Sequence, residues 1–109
     1  MNMADMFGKL TDFQNKLAQV KEELQHIEVS AESGGGMVRV IANGNREITS
    51  INIDPELVNP ADTEILEDLV IAAVNQAMKK SEEAGQQKMG ELTRGILPGG
   101  FDLGSLGLR

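Results

Sequence analysis

The stretch that decides the fold is residues 27–53, IEVSAESGGGMVRVIANGNREITSINI. Polar and apolar residues alternate in three parts of it, as expected of β-strands with one face against a core. Gly34-Gly35-Gly36 predicts a turn, and Asn43-Gly44 indicates a type I′ hairpin, whose two central residues need positive φ. We therefore predict three antiparallel strands in a meander. They cover about residues 27–33, 37–42 and 47–53. In the second strand, Val38, Val40 and Ala42 are expected to share one face. In the third strand, Thr49, Ile51 and Ile53 are expected to share one face.

Long helices are predicted on both sides of the strands. Over residues 3–27, apolar side chains recur at alternating spacings of three and four, which predicts a helix with a narrow apolar seam that packs against another helix. After the strands, Asn59-Pro60 pairs a capping side chain with a proline suited to a first helical turn, so a second helix is predicted over about 60–92. The seam positions of the first helix are Met3, Met6, Leu10, Phe13, Leu17, Val20, Leu24 and Ile27.

The predicted order α-β-β-β-α is an α+β fold with a single domain over residues 1–94. About 25 residues of helix span roughly 38 Å, more than three short strands can cover. We therefore expect the helix ends far from the sheet, residues 1–16 and 79–94, to lie together as a protruding arm. The unpaired edge of a three-stranded sheet predicts a homodimer. Residues 95–109, rich in Gly and Leu, are expected to form a flexible tail.

Composition disfavours an enzyme. The 109 residues include no Cys, Trp or Tyr and a single histidine, His26, which excludes thiolate chemistry and Cys-ligated zinc. Glu23-x-x-His26 has the spacing of di-iron ligands, but the heptad pattern places both side chains outside the seam. Gly34-Gly35-Gly36 lacks the Lys-Ser/Thr of a phosphate-binding P-loop. We expect no catalytic residues, no metal, no cofactor and no small-molecule substrate.

Charge is distributed unevenly along the chain. The formal net charge is −7, yet residues 22–78 carry −9, whereas residues 1–21 and 79–95 each carry +1. An acidic body with mildly basic arms would direct a polyanion to the arms. The N-terminus lacks a secretory signal pattern, and the longest apolar run, residues 69–74, is far shorter than the roughly 20 residues of a membrane span. We therefore expect a cytoplasmic protein with no membrane partner.

Six motifs follow one another along nearly the whole chain. They are MFGK at 6–9, SGGGMVRV at 33–40, NG at 43–44, IDPEL at 53–57, LEDLVIAAVNQA at 66–77 and LPGGF at 97–101. Together they resemble the YbaB/EbfC family of bacterial nucleoid-associated proteins. The resemblance implies a tweezer-like homodimer of the α-β-β-β-α fold, located in the nucleoid. It also implies binding of double-stranded DNA with little sequence specificity, and a role in nucleoid organisation and gene regulation.

The resemblance further implies DNA contacts at basic positions of the two helices. These are Lys9, Lys16, Lys79, Lys80, Lys88 and Arg94. Such residues would act by neutralising phosphates and releasing counterions. Arg39, Asn45 and Arg46 are alternative base-reading candidates, although roles in the sheet and its turn are favoured for them. The second hypothesis is a protein-interaction module that does not bind DNA. It would be an adaptor or prefoldin-like holdase with a coiled-coil arm, using the apolar seam or the tail.

Overall fold

The computed structural model describes residues 2–96, which form one three-stranded sheet and two long helices. Their bounds are α1 Met3–Gln25, β1 Glu28–Ser33, β2 Val38–Asn43, β3 Ile48–Ile53 and α2 Thr63–Ile96. This order confirms the predicted α+β fold. Most of the predicted tail, residues 97–109, lies outside the described residues.

The sheet is antiparallel in the order β1-β2-β3, and α2 packs across one of its faces. Val38 and Val40 are fully buried at the centre of this layer, on the predicted face. Ala73 and Ala77 of α2 are also fully buried, and because their side chains are small the helix axis approaches the sheet closely. The core cluster is Ala31, Val38, Val40, Ala42, Leu57, Ala73 and Ala77.

A β-bulge in β3 changes which side chains join the core face. Ile41 pairs with Ser50, but Ala42 pairs with Ile48, so Thr49 is an extra residue on its strand. Because Ala42, Val40 and Val38 share a face, their partners Ile48, Ile51 and Ile53 share it as well. The prediction did not include Ile48 on this face, because an alternating pattern does not reveal a bulge.

The loop between β2 and β3 also differs from the prediction. The hairpin is present, but its loop is Gly44-Asn45-Arg46, closed by the Asn43 N–H donating to the Glu47 carbonyl at 2.9 Å. Arg46, with φ +63°, occupies the left-handed region, whereas Gly44 does not. The type I′ prediction was therefore wrong. Gly44 is required for space: an added Cβ would lie 2.8 Å from Leu24 Cδ2 and 3.0 Å from the Leu24 carbonyl oxygen.

The predicted cap at Asn59 is confirmed. Its side-chain oxygen accepts the Asp62 N–H at 3.1 Å, and its amide donates to Asp62 Oδ2 at 2.7 Å. Pro60–Asp62 form a separate 3-10 turn, so α2 begins at Thr63, three residues after the predicted start. Such a turn is common at helix starts and supplies partners for backbone groups that the helix leaves unpaired.

Candidate nucleic-acid interface

Beyond the end of the sheet, α1 and α2 pack against each other as an antiparallel pair. The pair that they form around Val20, Leu24 and Leu92 is called the arm below. Leu92 of α2 packs against Val20 and Leu24 of α1, and all three side chains are buried. Phe13 and Leu17 extend this contact along α1. The arm makes the molecule long and thin, with extents of 69 × 27 × 16 Å. Its radius of gyration is 19.7 Å, whereas a compact chain of this length would have about 13 Å.

The arm is shorter on α2 than predicted, because residues 79–81 lie beside the sheet. Lys80 Nζ donates to the Ser30 carbonyl of β1 at 2.6 Å. Ser81 is fully buried, and its hydroxyl accepts the Arg46 N–H at 2.8 Å. The prediction that residues 79–94 as a whole join residues 1–16 was therefore wrong. Among the described residues, the seam of α1 meets α2 mainly from Phe13 onward.

The β2–β3 loop fixes the arm to the body. The Gly44 N–H donates to the Leu24 carbonyl at 2.8 Å, and Asn45 Nδ2 donates to the Lys21 carbonyl at 3.1 Å. The last carbonyls of a helix need partners outside it, and Gly44 provides one for Leu24. Because Ser81 holds the same loop to α2, one short segment sets the position of both helices.

Four of the six predicted DNA-contacting residues lie on the arm or on the part of α1 beyond it. Lys9 and Lys16 are seven residues apart on one flank of α1, about 10.5 Å along the helix, and both are exposed. Arg94 is exposed in the last turn of α2, where the carbonyl end of the helix dipole favours a cation. Lys88 lies between two carboxylates, with Nζ 3.8 Å from Glu23 Oε2 and 3.6 Å from Glu91 Oε2.

Lys16 and Lys88 line the same shallow groove between the helices. Its volume is about 260 Å³, and Glu23 and Glu91 also line it. The four charges in the groove cancel. The other two predicted residues, Lys79 and Lys80, are exposed on the body end of α2. The structure therefore divides the predicted set into two groups.

Two further basic residues, Arg39 and Arg46, lie beside glutamates. Arg39 donates through Nε to Glu32 at 2.8 Å on the polar face of the sheet, in keeping with its expected structural role. The Arg46 side chain is 67% exposed, and its guanidinium lies 4.0 Å from Glu82. The sequence identified Arg46 as a turn residue, but its place where the arm joins the body depends on the contact between the loop and Ser81.

Residues 2–96 show neither a metal-binding cluster nor a membrane-spanning helix. Glu23 and His26 are both exposed, and no group of three His, Asp or Glu side chains in this range is arranged to hold a metal ion. In the same range, neither helix has a stretch long and apolar enough to span a membrane.

Comparisons with known proteins agree on one family. A model of the YbaB/EbfC DNA-binding family matches residues 1–96. A nucleoid-associated protein of Caldanaerobacter subterraneus is 45% identical over 92% of this chain and 91% of its own. One from Nitrobacter hamburgensis is 44% identical over 94% of this chain and 100% of its own. The crystal structure of an uncharacterized Helicobacter pylori protein superposes with a TM-score of 0.77 at 27% identity, covering 84% of this chain and 97% of that one.

Proposed function

The chain belongs to the YbaB/EbfC DNA-binding family, and on that premise we propose that it binds duplex DNA with little sequence specificity through basic residues of its two helices. Relatives named nucleoid-associated proteins support a place in the nucleoid. The proposal includes a cytoplasmic location and an influence on gene expression through nucleoid organisation. Neither the family description nor these names indicate an enzyme.

The observation that carries this proposal is the exposure of basic side chains on the arm and on the part of α1 beyond it. Lys9, Lys16 and Arg94 are exposed on the arm or on the part of α1 beyond it, whereas residues 22–78 carry the acidic excess of the sequence. These side chains would neutralise phosphates without reading bases. Lys88 would contact DNA once a phosphate replaces one of the two carboxylates beside it. Lys79 and Lys80 would contact DNA that extends along α2 toward the body.

We also propose that two copies associate through the β3 side of the molecule. In the described chain, β3 is an edge strand, and Ile48, Ile51 and Ile53 stay 36–44% exposed on the face that α2 covers elsewhere. Ile71 of α2 is 57% exposed as well. A second copy on this side would bury these side chains and cover the unpaired edge. Two arms would then project from one dimer, giving a tweezer-like shape.

A salt series of mobility shifts on random duplex DNA tests the DNA proposal. Binding is expected at low salt and should weaken steeply between about 50 and 200 mM, because each phosphate contact contributes roughly 0.9 to the slope of log K against log salt. Lys16→Gln removes one cation from the arm and should lower the magnitude of that slope by about 0.9. Arg39→Gln, which removes an exposed cation from the polar sheet face, is the matched control and should leave the slope unchanged.

The same series decides between the two groups of basic residues and between the two hypotheses. Lys79→Gln with Lys80→Gln should weaken binding less than Lys9→Gln with Lys16→Gln if the arm makes the main contact. An undetectable shift at low salt would refute DNA binding and favour the protein-interaction module. One observation supports that module as the second candidate: the apolar side chains at the start of α1, among them Met3 and Phe7, are more than half exposed.

Light scattering tests the dimer. The chain has a mass of 11.8 kDa, so twice that mass is expected at micromolar concentration. Ile51→Glu should yield monomers, because it places a charge on the proposed contact face. Asn52→Glu is the control on the same strand, since the next side chain points to the opposite face of the sheet. A wild-type mass of one chain, or equal effects of the two variants, would contradict this arrangement.

A further inference from the structure

The apolar seam of α1 is covered in its second half and bare in its first. Leu92 covers the seam near Val20 and Leu24, whereas the apolar side chains at the start of α1 are more than half exposed. The bare side chains line an apolar groove of about 290 Å³, called the N-terminal groove below. It is formed by Met3, Met6, Phe7 and Leu10, which are 71, 59, 62 and 54% exposed.

The direction of α2 brings the last turn of that helix toward this groove. The helices are antiparallel, with Leu92 beside Val20, so Ile96, one turn further, is near the level of Lys16 on α1. From that level to Met3 is about 20 Å along α1. The 13 residues after Ile96 can span up to about 43 Å when extended, which is ample to follow the seam to its end.

The sequence of residues 97–109, LPGGFDLGSLGLR, suits an apolar groove. Five of its 13 residues are large and apolar, and Asp102 and Arg109 are its charged side chains. Pro98-Gly99-Gly100 favours a turn directly after α2, which allows the chain to leave the helix direction and meet α1. The five apolar residues are Leu97, Phe101, Leu103, Leu106 and Leu108.

We propose that residues 97–109 pack into the N-terminal groove of their own chain and complete the cover of the α1 seam. A chain outside the dimer has the same apolar groups, but it is present only at the micromolar concentration of the solution. A segment tethered directly to α2 is present at an effective concentration in the millimolar range, so the intramolecular contact forms first. This inference does not depend on DNA binding, and it is tested without DNA.

Because the natural chain has no cysteine, an engineered pair tests the contact directly. In the full-length chain, Met6→Cys with Phe101→Cys should form an intrachain disulfide under mild oxidation, detected as a faster band on a non-reducing gel and a mass loss of two hydrogens. The control is Asn15→Cys with Phe101→Cys. Asn15 is exposed on the side of α1 opposite the seam, yet closer to the end of α2.

The Met6 pair should close several-fold faster than the Asn15 pair. Equal rates of disulfide formation would show that the segment contacts α1 with no preference for the groove, and would overturn the proposal. A predominantly interchain product would overturn it as well, by assigning the groove to a second copy.

A fluorescence measurement supplies an independent test. The chain has no Trp or Tyr, so Phe7→Trp places a single reporter in the groove. Replacing Phe101, Leu103 and Leu106 by Ser in that full-length variant should shift the Trp emission to longer wavelength, because the indole becomes solvated. If the Trp emission is unchanged by these replacements and shifts only when duplex DNA is added, the proposal is overturned and the groove is assigned to DNA.

Discussion

Replacing Gly44 by Ala tests how closely the β2–β3 loop packs against the end of α1. The new Cβ would lie 2.8 Å from Leu24 Cδ2 and 3.0 Å from the Leu24 carbonyl oxygen. Leu24 is 6% exposed, so its side chain has little room to turn away. The carbonyl belongs to the last turn of α1 and accepts the Gly44 N–H at 2.8 Å, so moving it apart also lengthens this hydrogen bond.

The expected loss of stability follows from these contacts. Overpacking a buried site costs about 1–3 kcal/mol, and weakening one hydrogen bond adds roughly 1 kcal/mol. The lower entropy of the unfolded chain returns about 0.4–1 kcal/mol, so Gly44→Ala should destabilise the fold by about 2 kcal/mol. For a domain of this size, that corresponds to a decrease in Tm of roughly 10 °C.

Urea unfolding followed by far-ultraviolet circular dichroism measures the effect, at one fixed protein concentration because association shifts apparent stability. Gly90→Ala is the matched control. No atom lies within 4 Å of a Cβ at Gly90, in the interior of α2, so this variant should gain up to about 1 kcal/mol from helix propensity. If Gly44→Ala were as stable as the wild type, the reasoning from the Leu24 contacts would be refuted.

Three further variants test other features. Glu23→Gln removes a carboxylate 3.8 Å from Lys88 Nζ and should tighten DNA binding by about two- to fivefold in an anisotropy titration; an equal effect of Glu22→Gln would point to net charge alone. Arg46→Val should be less stable than Arg46→Gly by about 1 kcal/mol or more in urea, since a β-branched residue is strained at φ +63°, and equal stability would contradict this. Asn59→Ala should cost about 1 kcal/mol in thermal unfolding because the cap is removed, against less than about 0.5 kcal/mol for Asn52→Ala on the exposed strand.

The local elements could be predicted because their signals lie within a few residues. The alternation around Val38 and Val40 identified the buried face of β2, and Asn59-Pro60 identified the start of the second helix region. The same kind of evidence missed the bulge in β3, which brings Ile48 to the core face, and gave the wrong turn type at Gly44. A bulge preserves the apparent alternation of a strand, and the need for glycine at position 44 comes from Leu24, twenty residues away.

The sequence by itself determined the order of elements, the apolar faces and the excess of acidic residues in the body, because periodicity, capping and charge are properties of short segments. The tertiary structure decided how the helices align. Lys80 bonds to β1 and Ser81 anchors the β2–β3 loop, so the arm begins later on α2 than charge and length alone suggested. It also placed Lys88 between two carboxylates. Apart from the Lys88–Glu91 pair, these contacts join residues tens of positions apart, and they depend on the packing of whole elements.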